Sequence, residues 1–132
     1  MLPEWEPGTP AVLIVSGPHA IPVSTAVRRG DRRVVFALGQ RRETLERLRS
    51  EPSAVALCVL ARGAAFTAYG RAAVVREELE AAPVAVVELT VERVQDHLAD
   101  GRTEMLDGAR YEWADAAAAE AEPRIRAELG TL

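Results

Sequence analysis

The chain has 132 residues, 48% of them hydrophobic, which suits one domain, residues 1–132, around one core. A formal charge of −4 excludes a general nucleic-acid or membrane-surface binder, since either needs a basic face. All 16 basic residues are arginine and asparagine is absent, which closes off lysine Schiff-base chemistry, the phosphate-loop lysine and N-glycosylation.

Residues 1–10 hold three prolines and one glycine and read as an irregular lead-in, with Trp5 set against the body. Glu4 and Glu6 stand ahead of a short apolar run, residues 11–15, which has the wrong charge for a signal peptide and is too short to span a membrane. A cytoplasmic protein is therefore expected. Residues 11–16 form a first strand closed by Gly17-Pro18, and residues 20–27 a second, in which Pro22 marks an edge or a bulge. The run RRGDRR, residues 28–33, turns around Gly30-Asp31 into a third strand, residues 34–38.

Gly39-Gln40 ends that strand and hands over to Arg41-Arg42 at the mouth of a helix. Leu45 and Leu48 share one face of it, and it stops before Pro52. Residues 54–60 and 65–75 are the fourth and fifth strands around Arg62-Gly63. A polar stretch, residues 76–82, bears a short helical turn before a sixth strand at residues 84–94. In the tail, residues 103–105 and 109–113 are candidate short strands. Asp115 caps a helix over residues 116–121, which Pro123 interrupts or restarts toward Leu129. The fold class is mainly β: a six-stranded antiparallel barrel with a helix between strands three and four and a helical C-terminus.

Two guanidinium groups at a helix start invite an anion, because Arg offers a planar fork of donors and the first turn offers free N–H groups. The competing reading is a solvated pair bound to Glu43 and Glu46 at helical spacing. Other chemistry is thinner. Cys58 is alone, in an apolar strand, and reads as a small buried hydrophobe; His19 and His97 have no metal spacing. Ser16, Ser24 and Thr25 sit in no hydrolase elbow. The pairs Glu77 and Glu78, and Glu88 and Glu92, read as solvated faces. Tyr69, Tyr111 and Trp113 serve packing or stack on a planar ring.

The strand Ile21-Pro22-Val23-Ser24-Thr25, the strand Val35-Phe36-Ala37-Leu38, the turn Arg41-Arg42, then Leu48, Glu51-Pro52 and Val55-Ala56-Leu57 together resemble the split β-barrel of the pyridoxamine 5′-phosphate oxidase-like flavin-binding superfamily. The resemblance covers residues 11–75. It implies a homodimeric oxidoreductase holding FMN, or the deazaflavin F420, between subunits and acting on a small molecule. It also implies that Arg42 and Arg41 meet the phosphate, that Val23, Ser24 and Thr25 offer backbone to the ring edge, and that Leu38, Gly39 and Thr44 complete the site. Thr44 stands where relatives often place a lysine, and Glu43 is beside it. An alternative of another class is a non-catalytic dimeric binding protein on the same fold that takes haem or only weakly takes flavin, with His19 or His97 as axial ligand.

Overall fold

A computed structural model describes residues 1–40, 42–50 and 53–132. Arg41 and the Glu51-Pro52 pair, both part of the sequence motif, lie outside the described residues. The strands are β1 (Ala11–Val15), β2 (His19–Val23), β3 (Val27–Arg28), β4 (Arg33–Gly39), β5 (Ser53–Ala61), β6 (Ala64–Arg76) and β7 (Val84–Asp96); the helices are α1 (Glu43–Ser50) and α2 (Ala116–Leu129). All pairings are antiparallel, in the order β2-β1-β5-β6-β7-β4-β3. The two edges of this sheet, β2 and β3, are consecutive in the chain and only three residues apart. A sheet whose edges are joined by so short a link must curl on itself, so it forms a split barrel.

The six strands expected from sequence are seven, because the second divides into β2 and β3 at residues 24–26. Thr25 makes the division. Continuing the β3–β4 register, in which Val27 faces Val35, would place Thr25 opposite Ala37. At that position the Ala37 N–H donates to Thr25 Oγ1 at 2.9 Å and the Thr25 hydroxyl donates back to the Ala37 carbonyl at 3.3 Å. A side chain thus stands in for a backbone rung, and the main chain is released to cross from one sheet edge to the other.

Period-2 alternation decides which side chains turn inward. Leu13, Val34, Phe36, Leu57, Val59, Phe66, Val87 and Leu89 are fully buried in one cluster. Leu45 and Leu48 of α1 enter the same cluster, each contributing roughly 2 kcal/mol by burial. Trp5 packs at its margin, 5.6 Å from the Phe66 ring, as expected of the lead-in. A second, smaller cluster lies on the outside of the barrel, where Ile125 and Leu129 of α2 meet Val35, Val86 and Leu79. Cys58 is half-buried on the outer face of β5, opposite Val12 and Thr67, and is not the core residue expected.

Two further expectations are corrected. Residues 103–105 and 109–113 form no strand: Met105 accepts a bond from Gly63 N–H, and Gly108 lies so close to the β5–β6 hairpin that a Cβ there would sit 2.6 Å from the Leu60 carbonyl. Residues 76–82 contain no helical turn: Arg76 ends β6, and residues 77–82 are irregular chain with bends. The C-terminal helix is capped as expected, Ala118 N–H donating to the Asp115 carboxylate at 3.2 Å, but it runs unbroken through Pro123. Asp115→Ala should cost about 1 kcal/mol in chemical unfolding, the usual loss of an N-cap.

The far end of α2 is tied down as well. Glu128 accepts from Glu80 N–H at 3.0 Å and Ala81 N–H at 2.8 Å, and these two bonds hold its carboxyl below the usual range. Its stabilising contribution is therefore complete above the ordinary glutamate pKa and is lost as pH falls through the lowered one. Glu128→Gln should flatten that acidic limb in a plot of Tm against pH.

Candidate functional site

The link that closes the barrel also opens a cleft. Its floor is the β2–β3 connector with the end of β4, its near side the start of α1, and its far wall α2 and Trp113. The volume is about 320 Å³. Val23, Ser24, Thr25, Leu38, Gly39 and Arg42 all line it. They come from positions 23–25 and 38–42 because the Thr25–Ala37 bonds pin the connector to β4 just before that strand ends. Thr44 is different: it is 1% exposed, does not line the cleft, and its hydroxyl has no hydrogen-bond partner among the described residues.

Arg42 opens α1, its carbonyl accepting from Leu45 and Glu46 N–H while its own N–H donates to Gly39. An arginine at this position has no side-chain oxygen to cap the two N–H groups at the very start of the helix, those of Glu43 and Thr44. The two acids that would neutralise Arg42 are engaged elsewhere: Glu43 pairs with Arg47 at 3.0 Å and Glu46 with Arg49. Arg49 is further held by Glu77 at 3.0 Å; Glu77 and Glu46 raise the guanidinium pKa, and Arg49 in turn lowers that of Glu77. Among the described residues, the exposed guanidinium of Arg42 has no ion-pair or hydrogen-bond partner. The ion pairs to Glu43 and Glu46 are thus made by Arg47 and Arg49, and among the described residues Arg42 makes neither.

The far wall contains a group that the sequence alone did not single out. Glu122 is 5% exposed, and its carboxylate accepts from the Ser24 hydroxyl, from the Trp113 indole N–H, and from the Tyr111 phenol at 2.8 Å to each oxygen; Arg126 stands 3.5 Å away. Burial pushes the Tyr111 hydroxyl above its ordinary pKa and keeps it a donor. The signal was present in the spacing: Glu122 lies three residues before Ile125 and seven before Leu129, an acid on the one apolar stripe of α2. Other candidates fall outside the cleft. His19 sits at the start of β2, and His97 shares a 2.8 Å bond with Thr67; neither lines it. Tyr69 faces Arg93, whose guanidinium carbon is 3.9 Å from the ring centre. No group of three or more His, Cys, Asp or Glu could hold a metal among the described residues.

Solved structures of the same shape exist despite low sequence identity. A HupZ protein of Group A Streptococcus superposes with a TM-score of 0.57 at 12% identity, covering 77% of this chain and 90% of its own. A candidate pyridoxamine 5′-phosphate oxidase from Lactobacillus delbrueckii gives 0.54 at 18% identity, over 66% of this chain and 84% of that one. This chain carries the pyridoxamine 5′-phosphate oxidase-like split-barrel fold. A candidate general stress protein 26 from Jannaschia sp. shares the split barrel too, at 0.56 and 12% identity over 80% of this chain and 90% of its own. No protein-family model matches the sequence, and no curated protein does. Identities this low carry the split barrel alone and leave the chemistry to the cleft. Among the described residues, no helix is long and apolar enough to cross a membrane.

Proposed function

We propose that the cleft binds the phosphate-bearing part of FMN or F420 and that the protein is a cytoplasmic, single-domain, homodimeric oxidoreductase acting on a small molecule. The observation that carries this reading is the guanidinium of Arg42, unpaired among the described residues, at the start of α1 beside a hydroxyl-lined connector. When bound, the cofactor supplies hydride or electron transfer, and the protein's part is to bind, orient and exclude water. Arg42 would pair with phosphate oxygens, and the backbone of Val23, Ser24 and Thr25 would meet the polar edge of the ring. Leu38, Val84 and Ile125 would cover its apolar faces. The residues fit such a group in kind, and the cleft is at the small end of ligand sites, which run from about 300 to 1,000 Å³.

The homodimer has its own support. The outer faces of β1 and β5 present Val12 at 41% and Leu60 at 48% exposure, with Ile14, Ala56 and Cys58 between them. Both faces of that part of the sheet are apolar, and a second copy meeting it face to face would bury the outer one. Val12→Glu combined with Leu60→Glu is expected to convert a dimer to a monomer in light scattering; a wild-type monomer at micromolar concentration would refute the intersubunit site.

The second reading, a non-catalytic binder of flavin or haem, is favoured by one feature: Glu122 brings an acid to the same cleft in which Arg42 is the only arginine among the described lining residues. Titration separates the two. Saturable FMN or F420 binding followed by reduction of the bound cofactor with a nicotinamide donor supports the enzyme. Binding without any redox turnover supports the binder.

A further inference from the structure

The far wall of the cleft has two halves that are held in different ways. Its C-terminal half is anchored by Ile125 and Leu129 in the outer apolar cluster and by Glu128 on the backbone of residues 80 and 81. Its other half has no such anchor: every residue from 109 to 117 is exposed, Tyr111 and Trp113 included. What fixes that half to the barrel is the Glu122 carboxylate, which gathers Tyr111 and Trp113 from the preceding segment and Ser24 from the barrel. Pro123 stands between the halves and has no N–H to give the Ala119 carbonyl, so the helix is weakest where the two kinds of attachment meet.

We propose that residues 109–122 form a hinged wall over the cofactor cleft, pivoting at Pro123 and latched by Glu122 to Ser24. The proposal builds on the cofactor reading, giving Glu122 the role of a positioning residue and not of a catalytic one. A cleft of about 320 Å³ is small for a flavin nucleotide, and this wall is the side that yields at the cost of one apolar contact only, that of the half-buried Ala121 at the margin of the outer cluster. With the latch closed, Trp113 and Glu122 lie against the cleft and its contents are shielded. With the latch released, the chain from residue 109 to 122 keeps only the small, half-buried Ala118 and Ala121 to hold it, and the cleft opens to solvent. Gln in place of Glu122 keeps the shape but removes the charge and turns one of the two acceptor oxygens that Ser24, Tyr111 and Trp113 share into a donor.

The test is amide hydrogen exchange of the full-length chain, free of cofactor, comparing wild type with Glu122→Gln and with Tyr111→Phe, a milder change on the exposed segment. The amides of residues 118–121 should exchange about tenfold faster or more in Glu122→Gln, and by a smaller factor in Tyr111→Phe, while those of residues 125–129 stay at the wild-type rate. Equal acceleration along all of α2, or none, overturns the hinge. A stopped-flow arm with FMN separates this from the cofactor reading. Faster FMN association in Glu122→Gln supports gating, and unchanged association overturns it. Local exchange as predicted without any FMN binding leaves the hinge standing and refutes the cofactor.

Discussion

Arg42→Ala is expected to weaken FMN or F420 binding by about tenfold to a hundredfold, the loss of one charge-assisted contact worth about 1.5–3 kcal/mol. The same substitution should leave the melting temperature unchanged, because the side chain is exposed and makes no ion pair or hydrogen bond with any described residue. That combination distinguishes it from its neighbours. Arg47 bonds the Ser16 carbonyl at 2.8 Å as well as Glu43, and Arg49 joins Glu46, Glu77 and Gln40, so replacing either disturbs the packing of α1 on the barrel. Isothermal titration with FMN and with riboflavin reads the effect directly. The phosphate should favour FMN in the wild type, and Arg42→Ala should erase the preference. Equal binding of the two ligands to the wild type would show that Arg42 meets no phosphate.

The largest effect on folding is expected at Gly70, in the middle of β6. A Cβ there would lie 1.9 Å from the Thr90 carbonyl oxygen and 2.9 Å from its carbon, both backbone atoms of β7. The close approach belongs to an irregularity in the β6–β7 pairing, where Tyr69 faces Arg93 but Gly70 faces Val91. A side-chain neighbour could rotate away; a paired strand at the centre of the sheet cannot. Gly70→Ala should therefore cost about 3 kcal/mol or more in chemical denaturation, at or beyond the upper range for overpacking. Gly63 supplies the comparison. Its φ of +73° lies in the left-handed region, and a methyl added there would have no neighbour within 4 Å, so Gly63→Ala meets backbone strain alone, about 1–2 kcal/mol. Near-equal losses at the two glycines would mean that β6 and β7 approach each other less closely at Gly70.

The barrel was legible in the chain because its strands alternate. Val34 and Phe36, Leu57 and Val59, and Val87 and Leu89 repeat at the spacing that sends them to one face, and Gly17-Pro18, Gly30-Asp31 and Arg62-Gly63 punctuate them. The division of the second strand was not legible. It depends on Thr25 replacing a backbone rung with its hydroxyl, and three residues of connector carry no period. The tail misled for a related reason: residues 109–113 alternate and include two aromatics, yet Tyr111 and Trp113 turn their polar atoms to Glu122 and pair with no strand.

The cleft itself was half visible. The residues of the connector and of the β4–α1 turn converge because the barrel closes there, and the helical wall that completes the cleft could be placed only by tertiary packing. Glu122 shows the limit most clearly. In sequence it is one acid in a run rich in alanine and glutamate, whereas in the fold it is the acceptor on which the connector, two aromatic residues and Arg126 converge.

The most direct measurement of the central claim is an equilibrium titration of the purified wild-type protein with FMN, F420 and haem, followed by absorbance and tryptophan fluorescence. The account predicts saturable binding of FMN or F420, with quenching of Trp113 in the cleft wall, and no saturable haem binding, because neither histidine lines the cleft. Absence of binding by both FMN and F420 would contradict it.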